Sequence, residues 1–236
     1  MTTRYDRIMR SIRDGIPLLI DGATGTEVER RGVAKIAKAW NAGGTLSHPD
    51  TVQAIHEDYI RAGANIIISN TFATHRSALE DAGISDQFEA YNRRSVEIAC
   101  KARDNLQADH VLVAGGMSHC SFTGNEPTLS ALQANAAEQA IIMEQAGAEL
   151  LMLEMMTKID PMLAVLDGAL ASALPVWVGF SCTLDENSDI VLNHGESFTE
   201  AIAALDERDV PLLNVMHTDV SIVDQCLDAV EVSWRG

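Results

Sequence analysis

The chain has few cysteines, few basic residues and no long apolar run, and each shortage excludes a class of protein. Its four cysteines are scattered and form no CxxC pair, which argues against a disulfide framework and fits a reducing cytoplasm. The 17 basic residues face 34 acidic ones, so a formal net charge of −17 argues against nucleic acid or an anionic membrane surface as a partner. No apolar run approaches the roughly 18 residues of a membrane span, and the polar N-terminus lacks a signal-peptide core. We therefore expect a cytoplasmic protein.

Hydrophobic residues are abundant, at 47% of the 236 residues, which is enough for a substantial core. A chain of this length could form one large domain, and a single α/β barrel of about this size is ordinary. No linker or low-complexity stretch divides the sequence. We therefore predict a single domain over residues 1–236.

Short apolar segments alternate with amphipathic helical patterns along the whole chain. The predicted strands are Pro17–Asp21, Asn65–Asn70, His110–Gly115, Glu149–Glu154, Pro175–Ser181 and Val210–Met216. Strand–helix alternation implies a parallel sheet with right-handed crossovers. Repetition without an obvious reversal of strand order favours a (β/α)8 TIM barrel over a doubly wound sheet.

The number of predicted βα units is six, whereas a closed barrel of this type needs eight strands. Six strands would leave the first and the last with unpaired backbone edges. Either the chain is a truncated form that lacks two C-terminal units, or a partner chain or swapped element covers the gap. A homo-oligomer is one way to cover it.

Polar side chains follow several of the predicted strands at the point where each strand ends. Asp21 ends the first, Asn70 and Thr71 follow the second, Glu154 ends the fourth and His217 follows the sixth. The carboxyl ends of parallel strands are where α/β folds keep their active sites. Two carboxylates and a hydroxyl at one mouth suit recognition of an ammonium group or acid/base chemistry. The alternative for each residue alone is a cap on the following helix.

Five segments, in the correct order, resemble motifs of the homocysteine S-methyltransferase family. The segment Asp21–Glu27 reads DGATGTE and is similar to the family's opening DGGxGT. The further matches are Trp40-Asn41-Ala42 with His48-Pro49 and Val52, His56–Asn65 leading into Ser69-Asn70-Thr71-Phe72, Gln145–Glu154, and Val178–Ser181. The resemblance covers essentially the whole chain and implies a (β/α)8 barrel.

The resemblance also implies how an amino acid is held. Asp21 and Glu154 would bind the amino group of homocysteine and serve as the catalytic pair. Thr71, with backbone groups near Ala23 and Thr24, would help to hold the carboxylate.

The same resemblance implies methyl transfer from a small donor to homocysteine or a related thiol, giving methionine. Trp40 would face the donor, and an indole face attracts the positive charge of a sulfonium or quaternary ammonium group. Betaine, S-methylmethionine and other sulfonium compounds all satisfy this expectation.

Zinc is the cofactor that the resemblance implies, because a zinc-bound thiol ionises at neutral pH. The family binds zinc through three cysteines, one after the sixth strand and two in a later GGCC motif. In this chain His217 aligns with the first position, although a shifted register would place Met216 there, and no GGCC motif is present. His217 is either a zinc ligand or a loop histidine. A weaker alternative gathers His119, Cys120, Cys182 and His217 at the mouth.

Two other functions stay open from the sequence. A divergent, metal-free barrel could bind a small amino acid or amine through Asp21 and Glu154. An inactive truncated fragment could be held together by self-association.

Overall fold

The computed structural model describes residues 2–39 and 42–234, and its centre is a five-stranded parallel sheet. The strands in sheet order are β1 (Ile66–Ile68), β2 (Leu112–Met117), β3 (Leu150–Met156), β4 (Val176–Phe180) and β7 (Leu213–Val215). Ile20 adds one parallel bridge to Ile66 on the free side of β1. Each strand therefore lies beside the next one along the chain, as in a barrel, and the strand order does not reverse as it does in a doubly wound sheet.

Helices connect the strands. They are α1 (Arg4–Arg13), α2 (Thr24–Arg30), α3 (Gly44–Ser47), α4 (Pro49–Arg61), α5 (Arg76–Asp81), α6 (Phe88–Asn105), α7 (Leu129–Ala146), α8 (Ile159–Ala169), α9 (Phe198–Ala203) and α10 (Val223–Ser233). Capping residues set the ends of several of these helices. In α7, the Thr128 side chain caps the start, and Gly147 ends the helix in a left-handed conformation. Among the described helices, none combines the length and the apolar character needed to cross a membrane.

The two faces of the sheet have different partners because side chains alternate along a strand. Residues such as Ile67 and Val113 belong to the large core that includes buried residues of the connecting helices. Their neighbours Ile66 and Leu112 face the concave side, where Ile8 of α1 packs against them. The helix α1 closes the end of this concave side at which the strands begin, since Arg4 binds the carbonyl of Asp109 and the carboxylate of Glu149, just before β2 and β3.

The sheet edges differ from the sequence prediction. The predicted strand Pro17–Asp21 contributes only the bridge at Ile20, and the predicted Val210–Met216 is reduced to Leu213–Val215. Each of these segments has one neighbour in the described sheet, so fewer of its backbone groups are paired. Leu19 is 56% exposed and Ile20 is 40% exposed, which leaves an apolar edge beside β1.

The sequence prediction did not include the first helix or a hairpin in the second half of the chain. The helix α1 lies before the first strand, and an antiparallel hairpin follows β4, formed by β5 (Cys182–Leu184) and β6 (Ile190–Leu192).

Candidate active site

A cavity of about 640 Å³ opens at the carboxyl ends of the strands. It lies at the opposite end of the concave side from α1, so the structure leaves this end of the half-barrel open. Its walls come from the loop after Ile20, the ends of β1 and β3, the segment after β2, and β7. The lining residues are Ile20–Thr26, Ala42, Ile68–Asn70, Phe72, Ala73, Cys120, Phe122, Glu154, Met155 and Asn214–His217.

Asp21 is fixed in the wall by its neighbours on β1. Its backbone N–H donates to the carbonyl of Ile66 at 2.9 Å, and its Oδ2 accepts the N–H of Ile68 at 2.8 Å. The side chain is 1% exposed. Glycine in the following turn leaves room for Tyr59, because a Cβ on Gly22 would lie 2.9 Å from the hydroxyl of Tyr59.

Glu154 reaches the same cavity from β3 through a β-bulge. Leu150 and Met152 face the concave side, and Glu154 continues that row. The register with β4 then shifts between Leu153 and Met156, and Met155 takes the left-handed φ of +58°. A bulge adds one residue to a strand and re-aims its side chains, which explains why the consecutive residues Glu154 and Met155 both line the cavity.

The two carboxyl groups are electrostatically uncompensated. Burial raises the pKa of Asp21 to about 8. Burial, together with the nearby charge of Asp21, raises the pKa of Glu154 to about 8 as well. Among the residues that the structure describes, those that line the cavity include no lysine or arginine. Because a buried carboxylate without a partner is costly, this pair favours a cation between its members.

Aromatic rings form the wall near His217. The imidazole of His217 stacks on Phe72 with 6.0 Å between ring centroids, and Phe122 meets Phe72 edge to face at 6.5 Å. Burial lowers the pKa of His217, so the ring is predominantly neutral at pH 7. Sequence reasoning assigned no role to either phenylalanine, although Phe72 directly follows Thr71 in a recognised motif.

Comparison with known proteins shows to which family the chain belongs. The family model described as homocysteine S-methyltransferase matches residues 18–232. The chain belongs to the homocysteine S-methyltransferase family. Its match to that family spans every strand of the sheet, including the bridge at Ile20 and β7.

Relatives in the family include enzymes that act on sulfur and on selenium. The chain is 30% identical to homocysteine S-methyltransferase of Escherichia coli (strain K12) over 213 residues, which cover 80% of this chain and 64% of that enzyme. It is 27% identical to selenocysteine Se-methyltransferase of Brassica oleracea var. italica, covering 78% of this chain and 60% of that enzyme. The chain therefore spans somewhat over half the length of these relatives.

A solved structure shows the same architecture. The homocysteine methyltransferase MmuM of Escherichia coli in its metallated form superposes with a TM-score of 0.79 at 25% identity, covering 95% of this chain and 83% of that chain. The fold is thus an α/β fold of the TIM-barrel type, with an incomplete, curled sheet, as the sequence predicted.

The structure shows which of the residues with a predicted binding role line the cavity. Asp21, Glu154, Ala23 and Thr24 all line the cavity. Trp40 lies outside the described residues, so its predicted role at the methyl donor stays a prediction.

Thr71 does not line the cavity, in contrast to its predicted contact with a ligand carboxylate. Its hydroxyl is fully buried, donates to the carbonyl of Gly116 at 2.7 Å and lies 2.8 Å from Oγ of Ser69. The bond to Gly116 ties the segment after β1 to β2. Ser69 and Asn70 form the wall in its place.

The residues present do not fit the zinc site that the family resemblance implies. A catalytic zinc ion needs three protein ligands. Over residues 2–39 and 42–234, no group of three histidine, cysteine, aspartate or glutamate side chains is placed to hold a metal ion. Cys120 and His217 line the cavity, whereas His119 and Cys182 do not. Burial also raises the pKa of the Cys120 thiol, which disfavours the thiolate that zinc requires.

Proposed function

We propose that this chain takes part in methyl transfer to homocysteine, giving methionine, and that Asp21 and Glu154 bind the amino group of the acceptor. The observation that carries the proposal is the pair of buried carboxyl groups in one cavity wall, with no lysine or arginine among the described residues that line the cavity. An ammonium group would complete this wall, since it supplies both charge and hydrogen-bond donors to the two carboxylates.

The rest of the cavity suits the remainder of an amino acid. Ser69 and Asn70 supply polar groups on one side, and the loop at Ala23 and Thr24 supplies backbone groups on the other. A cavity of about 640 Å³ is within the ordinary size of small-molecule sites and leaves room for a second small molecule beside homocysteine.

The methyl donor in this proposal is a small sulfonium or quaternary ammonium compound. The rings of Phe72 and Phe122 line the cavity, and aromatic faces attract such cations. A neutral His217 does not repel the donor. In the reaction the acceptor thiol releases its proton to solvent, and the thiolate sulfur forms a bond to the methyl carbon. The bond from that carbon to the donor breaks, and its electron pair returns to the donor atom, which loses its positive charge. The described residues bind and orient the acceptor, and no step through zinc is assigned to them.

Binding calorimetry tests the amino-group assignment. The titrant is L-homocysteine, and the matched ligand is 4-mercaptobutanoate, which has the same thiol and carboxylate without the amino group. The variants Asp21→Asn and Glu154→Gln keep the shape of each side chain and remove its charge. Each is expected to weaken homocysteine binding by about 10-fold to 100-fold, with little effect on 4-mercaptobutanoate.

The control is Asp206→Asn, which removes one charge at an exposed position away from the cavity. The control should bind homocysteine as the wild type does. Failure of the wild-type chain to prefer homocysteine over 4-mercaptobutanoate would overturn the proposal. Methionine formation from L-homocysteine and a sulfonium donor, followed by mass spectrometry, tests the transfer itself.

Three other predictions accompany this function. They are a cytoplasmic location, the single domain over residues 1–236, and a homo-oligomer that covers the apolar edge at Leu19 and Ile20. Size-exclusion chromatography with light scattering tests the last of these.

A further inference from the structure

His56 is a histidine whose side chain is fully buried. It lies on α4, whose buried side chains include Val52, Ile55 and Ile60. Its side chain is 0% exposed, and neither Nδ1 nor Nε2 has a hydrogen-bond partner within the described structure. Leaving a buried polar group unpaired costs about 1–3 kcal/mol, so this position calls for an explanation beyond packing.

The acidic group nearest to this imidazole is Asp21. Nδ1 of His56 lies 4.0 Å from Oδ2 of Asp21, which is too long for a hydrogen bond. The same oxygen already accepts the N–H of Ile68, which anchors the carboxyl group to β1. Asp21 lines the cavity, whereas His56 does not. The imidazole therefore stands directly behind the carboxyl group that faces the cavity.

We infer that His56 is a positioning residue for Asp21, and that its Nδ1–H closes onto Oδ2 when Asp21 ionises against the ammonium group of a bound amino acid. This inference rests on the proposed function. In the ligand-free state a neutral Asp21 is a weak acceptor and the gap stays open. An ionised Asp21 is a strong acceptor, and a shift of about 1 Å brings the two atoms to hydrogen-bond distance.

A neutral imidazole suits this role better than a cation would. Burial lowers the pKa of His56 to about 4, so the ring is neutral at pH 7 and keeps one N–H. A positive charge behind Asp21 would ionise the carboxyl group before the ligand arrived and would compete with the ammonium group. The neutral ring instead adds a donor only when the carboxylate has formed.

Three variants of α4 test the inference by calorimetry with L-homocysteine and 4-mercaptobutanoate. His56→Leu removes both ring nitrogens, whereas His56→Asn retains an N–H donor at the same number of bonds from the backbone as Nδ1. Ile55→Val is the control for a change in the packing of the same helix. We expect His56→Leu to weaken homocysteine binding about 10-fold while 4-mercaptobutanoate binding changes less than about 2-fold. His56→Asn should restore much of the loss, and Ile55→Val should leave the ratio of the two affinities unchanged.

A structural role would give a different result. If His56→Leu weakens both ligands equally, or weakens neither, the inference is wrong while the proposed function stands. If the wild-type chain does not bind homocysteine, the proposed function fails and the inference fails with it.

A second measurement needs no variant and decides the matter if His56→Leu does not fold. Nitrogen NMR of the wild-type chain with labelled histidine reports the tautomer and hydrogen bonding of each ring. Homocysteine, but not 4-mercaptobutanoate, should convert one buried imidazole to a hydrogen-bonded Nδ1–H form. An unchanged spectrum with saturating homocysteine would contradict the inference.

Discussion

The carboxylate of Glu154 lies directly over the α-carbon of Gly116, where a Cβ would overlap Oε1. Glycine at this position therefore makes room for the acidic pair. We predict that Gly116→Ala displaces the Glu154 side chain and weakens homocysteine binding by at least about 10-fold, because the ammonium group loses one of its two acceptors. Calorimetry measures the change.

The neighbouring glycine provides the control for this variant. A Cβ on Gly115 would meet Sδ of Met143 at 2.6 Å, on the opposite face of β2. Gly115→Ala should lower the free energy of unfolding by overpacking, typically by about 1–3 kcal/mol, and should keep its affinity for homocysteine in the folded protein. Equal loss of affinity in both variants would show that general disruption, and not the position of Glu154, is responsible.

The stability of the ligand-free protein should fall between pH 6.5 and pH 8. In this range the native state keeps protons on Asp21 and Glu154, whose pKa values are raised to about 8, while the unfolded chain has already released them. The slope for one such group approaches about 1.4 kcal/mol per pH unit. Below pH 6.5 three buried histidines have the opposite effect, and their contribution to stability rises with pH. The reason is that burial lowers the pKa of His56, His75 and His119 to about 4.

Urea denaturation at several pH values checks this dependence. Asp21→Asn removes one of the two titrating groups and should flatten the decline, so the variant becomes more stable than the wild type near pH 8. Asp206→Asn should follow the wild-type curve. A wild-type stability that rises from pH 6.5 to pH 8 would contradict the raised pKa values.

Met155 holds a strained backbone at the bulge. Its φ of +58° costs an L-residue about 1–2 kcal/mol relative to glycine. We therefore predict that Met155→Gly has a higher free energy of unfolding than Met155→Ala by about 1 kcal/mol, since both lose the side chain and only glycine relieves the strain. Thermal and urea denaturation of the two variants give this difference. The reverse order would show that the bulge does not impose the left-handed conformation in solution.

Removal of metal ions should not change homocysteine binding by this chain. In the described part of the chain, no three candidate ligands are close enough to hold zinc, so the affinity measured after chelation should equal the affinity with added zinc. His217→Ala should likewise bind no less zinc than the wild type. Stoichiometric zinc, lost in that variant, would show that His217 is a ligand after all.

The barrel-type fold and the acidic pair could be predicted from the sequence for a simple reason. Apolar runs mark parallel strands, and Asp21 and Glu154 stand where two such runs end. The bulge at Met155 was not predictable, because the sequence Leu153–Met156 contains no glycine or asparagine that would indicate a left-handed backbone conformation. The burial of Thr71 was also missed: a hydroxyl after a strand looks the same whether it faces a ligand or a carbonyl of the next strand. His56 begins one of the recognised motifs, but the sequence assigned it no role, and its proposed role follows from its position near Asp21 in the fold.

The sequential order of the strands has a consequence for how the molecule forms. From β2 onward, each strand of the sheet pairs with a strand that has been synthesised before it. The sheet can therefore form from the N-terminus without a segment from later in the chain. Asp21 and Glu154 are both present once β3 has emerged. Assembly of the acidic pair can therefore precede β4 and β7, and the later strands then enclose carboxyl groups that are already in place.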